Sequence, residues 1–205
     1  MALKRLLSTA LFAALVAVTT AGCATVPGTA QPATYEELRQ EEGWTLLDAV
    51  PFVEQHSGED CGAASLSMVL AHWGVDAPAE TLAQECAVAG EPGLRASALR
   101  DAARRRGLSA YLFAGRVADL EHELGRGRPV VVGLLRSEGL LSATHFEVVV
   151  GVHPRAQRIA ALDPAVGLVA DALPAFAGEW AATEGVTLVV FRPGTTPGPQ
   201  ASSGR

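Results

Sequence analysis

Apolar residues recur at helical spacing through the first half of the chain. Asp60 is a predicted N-cap, and the apolar residues from Ala63 to Trp73 that follow it stop at Gly74, which predicts a helix. Similar spacing predicts helices over 78–87, with a proline in its first turn, and over 94–106. A short strand over 108–114 and a fourth helix over 117–127 complete this half.

The pattern changes in the second half, where β-branched runs are separated by turn residues. The runs "PVVVGLL", "THFEVVVGV", "RIAALD" and "VTLVVFRP" predict strands, and their near-continuous apolarity indicates burial on both faces. Helices followed by strands favour an α+β domain in two lobes over alternating βαβ units. A site between two such lobes would lie in a cleft.

The N-terminus predicts an exported protein. Residues 1–22 have a basic start and a 13-residue apolar run from Leu6 to Val18, which suits a signal peptide and is too short to span a bilayer. "TAGC" resembles a bacterial lipobox, although Thr20 replaces the usual leucine, so Cys23 is the expected lipidated residue. The alternative is ordinary secretion with an incidental cysteine.

These features divide the chain into four predicted parts. After the signal peptide, residues 23–43 are expected to form a flexible tether, 44–193 one domain and 194–205 a disordered tail. Lipidation predicts a protein anchored in the cell envelope. In a Gram-negative cell, Ala24 would favour the periplasmic face of the outer membrane, by analogy with known sorting patterns.

Charge excludes one class of partner. The formal net charge is -6, and removal of Lys4 and Arg5 makes it -8. A nucleic-acid binder would show a basic patch instead. The run Arg104–Arg106 closes a predicted helix, where cations favour the C-terminal end of the dipole.

Cys61 lies where the first predicted helix begins, which is a location suited to a nucleophile. The dipole and free N–H groups of a helix N-terminus stabilise a thiolate. Such a nucleophile needs a base, and the base needs an orienting group. His145 at the start of a strand could be the base, and Asp163 at the end of the next strand could orient it. Gln55, six residues before the cysteine, could help to stabilise an oxyanion.

Other interpretations of the same residues remain open. His56 and Cys61 are close in sequence, but no second group of ligands has the spacing of a zinc site. A Cys61–Cys86 disulfide is plausible in an oxidising compartment. A peptide-binding lipoprotein without turnover, or an amidase or transferase acting on cell-wall or isopeptide bonds, would also fit. No cofactor is expected.

The stretch "VPFVEQHSGEDCGAASLSMVLAHWG" closely resembles the start of bacteriocin-processing, double-glycine leader peptidases, a family of papain-like cysteine peptidases. "GLRASALRDAARRRGLSAYLF", "GRPVVVGLL", "THFEVVVGV", "IAALDPAVG" and "FAGEW" resemble its later blocks in the same order. The resemblance covers about residues 50–192. It implies a papain-like fold with a helical lobe followed by an antiparallel sheet lobe.

The resemblance also implies a role for each candidate residue. Cys61 would be the nucleophile, His145 the general base and acid, Asp163 its orienting group and Gln55 an oxyanion donor. Ala63 departs from the proline that is common after Cys-Gly. Many members belong to export transporters, but this chain carries no membrane span or ATPase motif, so a peptide substrate is expected and an export partner is left open.

Overall fold

The computed structural model describes residues 28–138 and 141–194. The described elements are, in chain order, β1 (Gln31–Pro32), α1 (Tyr35–Gln40), β2 (Thr45–Leu46), α2 (Cys61–His72), α3 (Ala79–Cys86), α4 (Ala96–Arg105), β3 (Ser109–Ala114), α5 (Val117–Leu124), β4 (Val130–Glu138), β5 (Leu141–His153), β6 (Arg158–Asp163), β7 (Gly167–Ala172), α6 (Leu173–Ala181) and β8 (Val186–Phe191).

The strands form one eight-stranded sheet. Its order is β1-β7-β6-β5-β4-β8-β3, and β2 pairs with β5 beside this path. All of the described pairings are antiparallel. The longest ladder joins β4 and β5, from Val130 opposite Val149 to Glu138 opposite Leu141. The predicted α+β class with an antiparallel sheet is therefore confirmed.

Helices cover both faces of this sheet. Apolar residues of α2, α3 and α4 pack with Val148, Val150 and Leu188 in one buried cluster. Residues of α5 and α6 pack with Val130, Val132 and Leu134 in a second cluster. Successive residues of a strand point to opposite faces, so this two-sided cover explains why the strands read as continuous apolar runs.

Helix α2 is the central helix of its layer, and residues 61–70 are all buried. The Ser65 hydroxyl donates to the Phe146 carbonyl at 3.1 Å, which joins the helix to β5. Gly62 permits close approach, because a Cβ there would lie 3.0 Å from Leu99 and 3.1 Å from Phe146. These contacts fix the position of the helix end that carries Cys61.

Most of the predicted elements are present with small shifts in their bounds. The four predicted helices correspond to α2, α3, α4 and α5, and the five predicted strands correspond to β3, β4, β5, β6 and β8. Within the predicted domain, β2, β7 and α6 were not predicted. Strand β2 has only two residues, β7 carries one β-branched residue, Val169, and α6 begins one residue before Pro174, so none of them gives a strong sequence signal.

The segment before residue 44 differs from its predicted form. From residue 28 onward it packs on the domain: β1 pairs with β7, and Thr34 and Glu37 form a capping box at the start of α1. Leu38 of α1 is only 2% exposed. The expected flexible tether is therefore wrong for residues 28–43, because a few apolar side chains in a polar segment suffice to anchor it.

Several predictions lie outside the described residues. They are the signal peptide over 1–22, the lipidation of Cys23 and the disordered tail from residue 195 onward. Within the described ranges, no helix combines the length and the apolarity that crossing a bilayer requires.

Packing of the N-terminal segment predicts a stability cost for Leu38→Ala. The variant should lower the free energy of unfolding by about 2–4 kcal/mol, since it leaves a cavity at a buried site. Urea unfolding measures this change, and Gln40→Ala, at an exposed position of the same helix, is the control. Equal stabilities for both variants would mean that α1 contributes nothing to the fold.

Candidate active site

Cys61 is the first residue of α2, is 5% exposed and has a free thiol. Asp60 occupies the N-cap position, as predicted, but its side chain makes no capping hydrogen bond to the helix. Its carboxylate accepts instead from the N–H groups of His56, at 3.1 Å, and Ser57, at 3.0 Å. The carboxylate thus orders the preceding loop and leaves the first N–H groups of α2 uncapped by this side chain.

His145 and Asp163 lie on adjacent antiparallel strands. His145 is on β5 and 8% exposed, whereas Asp163 ends β6 and is 1% exposed. The distance from His145 Nε2 to Asp163 Oδ1 is 2.8 Å. The second oxygen of the carboxylate is free of this contact and faces another partner.

The thiol of Cys61 lies close enough to His145 to raise the pKa of its ring. Because Asp163 takes Nε2, Nδ1 is the ring nitrogen left for the sulfur. Burial acts to lower the pKa of His145, but the interactions with Asp163 and Cys61 outweigh burial, so the pKa of His145 is raised above its ordinary value. The surroundings thus favour the imidazolium.

Successive residues of β5 point to opposite faces of the sheet, so His145 points away from the face on which Phe146 packs near α2. The topology explains how the His145 ring still meets Cys61. The ladder between β5 and β6 begins at Val148 and Leu162, so among the described strands residues 141–147 pair only with β4. The Gln55 N–H donates to the Pro164 carbonyl at 2.9 Å, which brings the loop before α2 to the end of β6. The start of α2 is therefore held at the open edge of β5.

Asp163 is held by more than the histidine. Its Oδ1 also accepts from the Ala165 N–H at 2.8 Å, and its Oδ2 accepts from Arg136 Nη1 at 2.9 Å. Burial acts to raise the pKa of Asp163, but the hydrogen bond and charge of His145, the charge of Arg136 and the Ala165 N–H outweigh it and lower the pKa to about 2. The carboxylate is therefore ionised at neutral pH.

Sequence reasoning missed the charged group behind Asp163. Arg136 on β4 is 6% exposed and also forms ion pairs with Glu147 and, at 4.0 Å, with Glu179. Strand alternation could have indicated it, since Arg136 continues the buried positions Val130, Val132 and Leu134. A charged residue at an inward position of a buried strand usually has a partner.

His145, Glu147 and Asp163 place their ligand atoms within 4.8 Å of one another, which resembles a metal site. However, the Arg136 guanidinium contacts both carboxylates. A second cation at this position would face its positive charge at short range. The described arrangement therefore fits an internal ion pair better than a metal centre.

Gln55 lies near this site, with its amide turned toward its own loop. Its Nε2 donates to the Ser57 carbonyl at 2.9 Å, and its Oε1 is buried with no hydrogen-bond partner among the described residues. An amide nitrogen has two N–H groups, so one remains for another acceptor.

Two other candidates lie apart from the site. Cys86 ends α3 with a free, buried thiol whose pKa is raised by burial, so the Cys61–Cys86 disulfide is absent from the described residues. The His56 side chain is exposed and 3.7 Å from Glu80.

A surface hollow of about 510 Å³ is lined by β1, α1 and β7, and its lining includes neither Cys61 nor His145.

The lowered pKa of Asp163 predicts a loss of stability in acid. Its ionised form stabilises the fold above about pH 4, and that contribution, on the order of 2 kcal/mol, is lost as the pH falls through about 2. Asp163→Asn should therefore lose less stability than the native chain between pH 5 and pH 2.5, as measured by urea unfolding. Asp76→Asn, which removes one exposed carboxylate, is the control. Equal acid sensitivity of the native chain and Asp163→Asn would contradict the prediction.

Two solved structures share this fold at low identity. The peptidase domain of Streptococcus ComA, a bifunctional ABC transporter involved in a quorum-sensing pathway, is 21% identical, with a TM-score of 0.58 over 70% of this chain and 98% of that one. A C39-like peptidase from Bacillus anthracis is 18% identical, with a TM-score of 0.59 over 74% of this chain and 99% of that one. Both likenesses show the papain-like fold alone.

A third structure is somewhat closer in sequence. It is a double-glycine-motif protease from an AMS/PCAT transporter in complex with a leader peptide, and it is 27% identical, with a TM-score of 0.54 over 69% of this chain and 90% of that one. No curated protein matches this sequence. The family model of the peptidase C39 family matches residues 49–193, which include α2 and the strands that carry His145 and Asp163. This chain therefore belongs to the peptidase C39 family, the bacteriocin-processing cysteine peptidases that its sequence resembles.

Proposed function

We propose that this chain is an active cysteine peptidase in which Cys61 is the nucleophile and His145 the general base and acid. The observation that carries the proposal is the 2.8 Å contact from His145 Nε2 to Asp163, together with the Cys61 thiol close enough to His145 to raise its pKa. The raised pKa of His145 favours an imidazolium beside the sulfur. That charge and the helix N-terminus both stabilise a thiolate.

The proposed reaction proceeds through an acyl-enzyme. The Cys61 thiolate attacks the scissile carbonyl carbon, and the carbonyl π electrons move to oxygen. Collapse of this tetrahedral intermediate breaks the C–N bond as the His145 imidazolium gives its proton to the departing amine. His145, now neutral, then takes a proton from water, which attacks the thioester and releases the acid and the thiolate.

The oxyanion needs hydrogen-bond donors during both attacks. The proposed donors are the backbone N–H of Cys61, at the uncapped start of α2, and the free N–H of the Gln55 amide. Asp163 contacts no substrate in this mechanism. It holds the ring so that Nδ1 faces the sulfur, and it stabilises the imidazolium.

The proposed substrates are peptides with small residues before the scissile bond. This proposal rests on the 27% identical double-glycine-motif protease, which was solved with a leader peptide. The similar structures come from transporters, which also suggests an export system as a partner.

The nucleophile is tested by replacing Cys61, with the replacement of Cys86 as the control. Cys61→Ala should abolish cleavage of synthetic peptides in which a Gly-Gly leader sequence is followed by further residues, and His145→Ala should lower the rate by about 10²-fold or more, because it removes the base. Product formation is followed by mass spectrometry. Cys86→Ala removes the other described thiol and should keep activity. Cleavage by Cys61→Ala would refute the proposed nucleophile.

The proposed location is the cell envelope, through a lipid on Cys23. Because the folded part begins by residue 28, five residues of chain would then hold the domain within about 18 Å of the lipidated residue. The anchor would keep the peptidase close to the bilayer, where a membrane-embedded exporter would release its peptides.

Substitution of Cys23 tests this location. Cys23→Ser should shift the protein from the membrane fraction to the supernatant, or leave it unprocessed, because the lipid cannot be attached. Fractionation and intact mass measure the change, and Cys86→Ala again serves as the matched control. An unchanged mass and fractionation pattern would exclude lipidation.

A further inference from the structure

We propose that Arg136 is a positioning residue for the reaction. Arg136 fixes the charge and the orientation of Asp163 through a buried ion-pair network that includes Glu147. This inference rests on the proposed function. The described ion pairs of Arg136 are with Asp163, Glu147 and Glu179, so it would act on the reaction through Asp163.

The first argument is orientation. The two oxygens of Asp163 have different partners: Oδ1 meets His145 Nε2 at 2.8 Å, and Oδ2 meets Arg136 Nη1 at 2.9 Å. A carboxylate held from both sides cannot rotate without losing one of these contacts. Arg136 therefore keeps Oδ1 directed at the histidine ring.

The second argument is charge. Glu147 and Asp163 are 2% and 1% exposed, and Arg136 is the cation that contacts both of them. Two buried carboxylates at short range cannot both stay ionised without a compensating charge, so one of them takes a proton. The guanidinium prevents this, because its planar group can pair with two carboxylates at once.

The third argument is exclusion of water. The N-terminal segment lies directly over the guanidinium, since a Cβ on Gly28 would be 3.0 Å from Arg136 Nε and 3.1 Å from Cζ. The Thr29 N–H donates to Glu179 Oε1 at 3.4 Å beside it. The cavity lined by Arg136, Glu147 and Glu179 measures about 10 Å³, room for about one water. Because little water screens this site, the charge of Arg136 acts strongly on the carboxylates beside it.

These arguments predict what removal of the cation does. In Arg136→Met, Asp163 and Glu147 would share one proton at neutral pH. His145 would then lose part of the negative charge on its Nε2 side, and the imidazolium would release its proton at lower pH. In the double variant R136M/E147Q, Asp163 would be the remaining ionised carboxylate of the two and would again stabilise the imidazolium.

The experiment measures the rate of Cys61 alkylation by iodoacetamide as a function of pH, with the modified peptide quantified by mass spectrometry. This readout needs no substrate. A thiolate–imidazolium pair gives two inflections, one where the pair forms and an upper one where His145 loses its proton. Arg136→Met should lower the upper inflection by about one pH unit or more. Arg136→Lys, which keeps the charge, and R136M/E147Q should both stay near the native value.

Arg128→Met is the matched control, because Arg128 is another largely buried arginine, paired with Glu123 at 3.0 Å. It should leave both inflections unchanged. A folded Arg136→Met with the native upper inflection would overturn the inference and leave Arg136 a purely structural role. If Arg136→Met does not fold, the double variant decides, and a displaced inflection there would overturn the inference as well. A native protein in which Cys61 titrates as an ordinary thiol, with one inflection near pH 8.5, would instead refute the proposed function.

Discussion

The contact between His145 and Asp163 is the interaction on which the site depends. It joins two neighbouring strands at the point where β6 ends and β5 continues with β4 as its described partner. The ring can reach Cys61 because that edge of β5 is open to the start of α2. The long β4–β5 ladder and the buried helix α2 therefore serve one purpose, which is to hold three side chains from distant parts of the chain in line.

The sequence predicted those three side chains from their local settings. Cys61 follows a polar loop and begins an apolar helix, and Asp163 closes a strand, as predicted. His145 was predicted to open a strand, but it lies inside β5, because that strand already begins at Leu141. Consecutive strands are usually neighbours in a sheet, so the pairing of β5 with β6 brings His145 and Asp163 together. Local pattern was sufficient for Cys61 and Asp163 because they lie at the ends of strongly periodic elements.

Two features could not be predicted in the same way. The segment over 28–43 is too polar to signal a fold, and its order depends on where Leu38 and β1 find partners on a sheet formed by distant residues. Arg136 carries a signal only after the face of β4 is known, because the same sequence could place it in solvent. In both cases tertiary contacts decided the outcome, and local composition was a poor guide.

Asp60 shows how the loop before α2 serves the proposed chemistry. A carboxylate capping this helix would place a negative charge beside the thiolate and occupy the N–H groups that an oxyanion needs. The structure turns Asp60 back onto His56 and Ser57 instead, so it orders the loop that also carries Gln55. Asp60 thus orders the loop that leads into α2, and its carboxylate leaves the N–H groups at the start of the helix uncapped. The loop that precedes the nucleophile is therefore as much a part of the proposed oxyanion site as the helix itself.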